Sequence, residues 1–301
     1  NQFSSDTGAL NSSGLLFHRE ASLFLKGGFG KFAMGRMGSI NGGVSSWAKY
    51  GVISAFGTSW GDYSAQAGTW AMGAGMWDNM IAYETPDFAG FKVFAQYGMG
   101  NQVDGNKDKT KTGVENESSS DRYYAIGASY ANGPLNLYLA VDSINYATYG
   151  VDGDANADDS LTVTLGGNYD FEVVKLFAGA QYFDEIKLSN MKGAVNFEDA
   201  DSGIATKMKG WSLGVSGSIP VAGGNVLVGA AYMDADSVKD ATKNDELTRW
   251  IVSAGYDYPL SKRTNVYGIL TYNQDSIDSD NKASERDPSV FGVMVGLRHK
   301  F

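Results

Sequence analysis

The residues that could do chemistry in this chain are few, and most stand outside any catalytic pattern. DGDANADD, at 152–159, opens with the D-x-D-x-N-x-D spacing of a calcium loop. It lacks the glycine at the sixth position and the glutamate at the twelfth that an EF-hand needs, so a solvated acidic loop is the better reading. Calcium on such acidic loops stays open, but no metal site is predicted. His18 and His299, the two histidines, sit in no triad or metal-ligand spacing. A hydrolase would need such a constellation, so no enzyme and no cofactor are expected. GGFG, at 27–30, lacks the strand-to-helix context of a phosphate loop and reads as a turn. A net charge of −10 argues against nucleic acid as a partner. What remains is the stretch 38–75. Its only charges are Lys49 and Asp62, and it holds Trp47, Trp60, Trp70 and Tyr50. A loop of that length without sustained periodicity is unusual and tends to be functional.

The elements that would position this stretch are strands. In the last fourteen residues, Phe291, Val293, Val295, Leu297, His299 and Phe301 alternate with Gly292, Met294, Gly296, Arg298 and Lys300. Successive side chains of a strand point to opposite faces, so one face is apolar and the other small, then cationic. The same alternation recurs along the chain. Leu135, Leu137, Leu139 and Val141 oppose Asn136, Tyr138, Ala140 and Asp142, and Trp211, Leu213 and Val215 oppose Ser212, Gly214 and Ser216. Thirteen such runs follow one another, the first two at Phe17–Gly27 and Lys31–Met37 and the last at Pro288–Phe301. Short turns such as AGG alternate with long loops at 101–121, 146–160, 183–207, 234–248 and 274–287, which hold 24 of the 34 Asp and Glu residues. Period-two runs alone also describe the half-buried strands of a soluble sandwich. Here the polar faces are too small and hydrophilic for a dry core. Many apolar faces end in Tyr or Trp, as the aromatic girdles of a membrane barrel do. The predicted fold is therefore all-β: a transmembrane antiparallel barrel with its apolar face turned to lipid and its polar face around water. The absence of cysteine fits a path through an oxidising compartment. The chain opens at Asn1, mid-pattern, which reads as a processed or cut N-terminus.

Four segments carry a family resemblance: REASLFLKGGFGKFAMGRMGS (19–39), AYETPDFAGFKVFAQY (82–97), YDYPLSKRTNVYG (256–268) and VGLRHKF (295–301). In them the chain resembles the general bacterial porins of Gram-negative outer membranes, of the proteobacterial type. The resemblance implies a sixteen-stranded barrel with a long loop after the fifth strand folded into the lumen. The stretch 38–75 follows the second recognisable strand here, so matching the two places the first three strands outside this chain. Those strands would then stand on a separate N-terminal strand fragment or have been left out of this chain, and residues 1–301 form a single barrel domain with 38–75 as its inserted constriction loop.

By the same resemblance, acids on the inserted loop face arginines on the wall, and the transverse field orients polar solutes. Arg19 matches a wall-arginine position, and Asp62 is the one acid the loop offers. Arg36 is a second lining cation, and another wall position falls on Met76. Lys49, Trp47 and Trp60 complete the expected constriction. Phe301 matches the terminal residue read by the barrel-assembly machinery. The implied function is an outer-membrane porin passing small hydrophilic solutes and ions by passive diffusion, as a homotrimer set in outer-membrane lipid and lipopolysaccharide. A substrate-specific channel and a non-conducting adhesin or envelope-anchoring barrel are the alternatives. The sign of ion selectivity stays open, because acidic loops at the mouth and cations in the wall oppose each other.

Overall fold

The computed structural model describes residues 20–42, 45–57, 68–71, 75–99, 121–146, 158–187, 207–238, 245–280, 282 and 285–299. They form a single antiparallel sheet of thirteen strands, each paired with its neighbours in sequence order. The strands are β1 (Ala21–Gly27), β2 (Gly30–Gly38), β3 (Met76–Glu84), β4 (Phe91–Gly98), β5 (Arg122–Asn132), β6 (Leu135–Asn145) and β7 (Leu161–Asp170). They continue with β8 (Lys175–Lys187), β9 (Lys207–Val221), β10 (Gly224–Ser237), β11 (Asp245–Pro259), β12 (Thr264–Ser279) and β13 (Ser289–His299). No described helix is long and apolar enough to cross a membrane, which says nothing of strands that cross.

The two faces of the sheet differ as the alternation predicts. Leu139, Leu165, Leu213, Val215, Val252, Leu270, Val293 and Val295 stand between 43% and 83% exposed. Their strand neighbours Tyr138, Thr164, Ser212, Ser253 and Thr271 are buried on the opposite face. A continuous apolar belt of this extent exceeds the patches a soluble surface carries and calls for lipid around it. Aromatic pairs mark both margins of the belt. Tyr97–Tyr124, Trp211–Tyr232 and Trp250–Tyr272 lie toward the long loops, with ring centroids 5.1, 5.5 and 5.2 Å apart. Tyr169–Phe171 and Tyr256–Tyr258 lie toward the short turns. Amphipathic rings at these depths suit a headgroup boundary.

The sheet must curl, because a short piece of chain touches much of it. Asn168 of β7 donates to the Val52 carbonyl at 2.8 Å, Ser216 of β9 accepts from the Ala55 amide at 2.9 Å, and Phe56 packs with Leu227 of β10 and Ile269 of β12, near Met294 of β13. Five extended residues span at most about 17 Å. Six strand spacings in a flat sheet would take roughly 29 Å. The strands therefore wrap around the segment that follows β2. Between β1 and β13 no ladder is recorded among the described residues.

Several strands run further than their apolar alternation does. β8 continues to Lys187, β10 to Ser237 and β12 to Ser279, so Asp184, Asp234, Asp236, Glu246 and Asp278 stand in strands where the sequence reads as loop. Backbone ladders do not need apolar side chains once the strand has left the lipid, so pairing outlasts the periodic signal.

Candidate pore-lining site

The segment between β2 and β3 lies against the face opposite the apolar belt, and its described parts are held at several seats. At its start, Gln96 of β4 accepts from the Ile40 amide at 2.8 Å and donates to the Gly38 carbonyl at 3.1 Å. Tyr138 of β6 donates to the Asn41 side chain at 2.9 Å. A short 3-10 turn, Tyr50–Val52, follows, and then the Val52 and Ala55 seats on β7 and β9. At the far end Gln181 of β8 bonds both the amide and the carbonyl of Ala71, at 2.8 and 3.1 Å, and Ser212 of β9 donates to the Thr69 carbonyl. These wall side chains satisfy main-chain groups that an irregular segment buried without water would otherwise leave unpaired.

The segment brings its own core. Ile40, Trp47, Tyr50, Ile53 and Trp70 are buried with the wall residues Met80, Phe94, Tyr123 and Tyr138. Glycines in the wall make room for them: a Cβ added at Gly179 would lie 3.0 Å from the Trp70 ring and 3.3 Å from Ile53, and one at Gly229 would lie 3.1 Å from Phe56. Burial pushes the Tyr50 hydroxyl well above the usual phenol range.

Three charged contacts fix the segment. Just before β1, Glu20 accepts from the Ser46 amide at 2.8 Å and the Ser46 hydroxyl at 2.6 Å, with Ser45 and Ser22 each at 3.3 Å. Burial works against its charge, and these hydrogen bonds outweigh it, holding the carboxyl below its ordinary value. Lys49 reaches Glu84 of β3 at 3.4 Å and lies 4.8 Å from the Phe94 ring centre. Arg249 of β11 forms a fully buried two-pronged pair with Asp275 of β12, at 2.6 and 2.9 Å, and its third prong donates to the Gly68 carbonyl at 2.7 Å.

The residues expected at the constriction divide on inspection. Lys49 and Trp47 both meet the wall, Trp47 under the Lys31 ammonium at 4.4 Å. Arg36 does not join them. It stands in register with Ala21, two places from exposed Met34, and pairs with Asp78 at 2.7 Å. Met76 opens β3 opposite Gly38, at the root of the inserted segment, next to Trp77, which stacks on Tyr123. Arg19, Trp60, Asp62 and Phe301 lie outside the described residues, as do His18 and most of 152–159. The wall residues Gln96, Asn168, Gln181, Ser212 and Arg249 were missed. In the sequence they read as ordinary polar positions of alternating strands. Arg249 alone carried a signal, as a full charge on the non-lipid face beside Trp250.

A family model described as Gram-negative porin matches residues 1–278. The chain belongs to that family. It is 31% identical to an outer membrane porin protein of Bordetella pertussis over 99% of this chain and 76% of that one. Outer membrane porin protein 32 of Delftia acidovorans is 29% identical over 97% of this chain and 76% of its own length. Among solved structures, the anion-selective porin from Comamonas acidovorans superposes with a TM-score of 0.65 at 26% identity, covering all of this chain and 82% of that one. This porin is thus an outer-membrane β-barrel channel for the passive diffusion of small hydrophilic solutes and ions.

Proposed function

We propose that residues 38–75 form the constriction of this porin and that the aqueous path runs between this segment and the remaining inner wall. The observation that carries the reading is the chain of seats from Gln96 on β4 to Arg249 on β11, all on the face opposite the lipid-exposed rows. Lys49 lines the path from the segment, with Trp60, Asp62 and Arg19 completing the lining in the same reading, whereas Trp47 is buried beneath it in the core that joins segment to wall. Selectivity is for anions, in line with the similar porin from Comamonas acidovorans. The edges of β1 and β13 pair with further strands, on a separate fragment or on more of the same polypeptide. Unpaired backbone groups facing lipid would cost several kcal/mol each. The assembly is a homotrimer bedded in outer-membrane lipid and lipopolysaccharide, and no reaction is assigned to it. Planar-bilayer recording tests the reading. Ohmic current that does not saturate with salt, arriving in groups of three equal steps, is expected. A saturable single-solute current would make the porin a specific channel, and absence of current would make it an anchoring barrel.

A further inference from the structure

We infer that the anion preference of this porin is set by a lysine cluster around Glu84, where β2, β3 and β4 meet the inserted segment. The inference rests on the channel reading above and names the residues that would act there. Two cations converge on this one carboxylate, and two more stand beside it. Lys49 of the segment and Lys92 of β4 each lie 3.4 Å from a Glu84 oxygen, one on Oε2 and the other on Oε1. Lys31 of β2 stands directly opposite Glu84 in the ladder, and Lys26 of β1 stands opposite Lys31. The Lys31 ammonium lies over the Trp47 ring of the segment at 4.4 Å and 5.2 Å from the Phe24 ring centre. Trp47 and Phe94, the rings under Lys31 and Lys49, are buried in the core that joins segment to wall. The cluster therefore faces the lumen side.

Its charge does not cancel. One carboxylate divided between Lys49 and Lys92, with Lys31 alongside, leaves an excess of two positive charges, and Lys26 adds a third. The lysines are partly open to water: the side chains of Lys49 and Lys92 keep 23% and 35% of their accessibility. They can therefore meet a passing ion rather than only each other. The flat rings beneath two of the ammonium groups hold them without neutralising them. A low-dielectric wall on one side raises the local field and with it the local concentration of counter-ions. Small inorganic anions, and solutes carrying carboxylate or phosphate, are the class that such a site would draw. Glu84 has two opposed roles in this arrangement. It fixes Lys49 and Lys92 in place, and it subtracts from the charge they present.

That opposition makes the idea testable in the porin purified from outer membranes, using the reversal potential in a KCl gradient. Lys31→Gln and Lys92→Gln should each lower the chloride-to-potassium permeability ratio by about two- to fourfold at 0.1 M salt, the scale of one unit charge several ångströms from the path in water. Glu84→Gln should raise the ratio. If all three substitutions shift it the same way, these residues act only by holding the segment, and the inference is overturned. If the potentials are unchanged while the current persists, selectivity lies elsewhere and the inference falls, with the channel reading intact. If the unmodified protein carries no current, the channel reading itself fails. A second measurement needs no variant. The chloride preference of the unmodified porin should shrink between 0.1 and 1 M salt, as the screening length falls from about 10 to about 3 Å. A preference independent of salt would contradict a charge-based filter.

Discussion

At the scale of single residues, the wall charges differ in kind according to burial. Arg249 and Asp275 are completely buried, and their pair is closed by the Gly68 carbonyl. Such a pair adds little net stability compared with well-packed apolar residues, but removing one member leaves the other uncompensated. Arg249→Ala should therefore cost about 3–5 kcal/mol and free the 68–71 seat, read as a lower thermal midpoint and noisier open-channel current. An unchanged midpoint would show that Asp275 finds another partner. Glu20 gives a pH dependence of definite sign. Its folded carboxyl sits below its ordinary value, so the anchoring of Ser45 and Ser46 is fully present above the ordinary carboxylate range and is lost as pH falls through the lowered value. Current fluctuations should thus grow in acid, once the pH has fallen below the ordinary carboxylate range. Glu20→Gln should show them already at neutral pH, and a variant as quiet as the parent would remove Glu20 from the anchor.

At the scale of elements, the strands were legible and the inserted segment's placement was not. Period-two patterning found all thirteen strands, because a barrel strand between lipid and water must alternate to satisfy both. It lost the strand ends. Above the aromatic margin the outer face carries Asp234, Asp236 and Glu246 instead of Leu and Val, and nothing periodic marks the continuing ladder. The segment's unusual length announced it, but its partners come from strands up to 181 residues away in sequence, as Arg249 and Gly68 do. Local patterning cannot show such pairings. Nor can it tell a glycine that merely occupies a strand from one that seats a ring, as Gly179 does beneath Trp70. Gly179→Leu should therefore press Trp70 and Ile53 off the wall, costing about 1–3 kcal/mol by overpacking and altering single-channel conductance. Parental conductance and stability in this variant would mean that the segment does not rest there. Arg36 teaches the converse. A cation near the expected position in sequence stands in register with Ala21 and pairs with Asp78, on the face that alternation gives to exposed Met34 rather than on the face of the inserted segment.

At the scale of the whole molecule, channel function depends on which side of the sheet meets water. The apolar rows face outward, and the inserted segment builds a second, smaller core inside against glycine, glutamine and serine of the wall. Beside that core Lys49, Glu84 and Lys92 keep part of their accessibility, as the proposed constriction requires. The direct test exploits a chain without cysteine. Gly51 is exposed on the inserted segment, and a Cβ there meets no atom within 4 Å, so Gly51→Cys should fold as the parent does. A bulky charged thiol reagent added to an open Gly51→Cys channel in a planar bilayer should reduce its current in discrete steps. The same reagent on Val295→Cys, at the most exposed site of the apolar belt, should leave the current unchanged. A Gly51→Cys current indifferent to the reagent, or a Val295→Cys current blocked by it, would contradict the assignment of lumen and lipid faces.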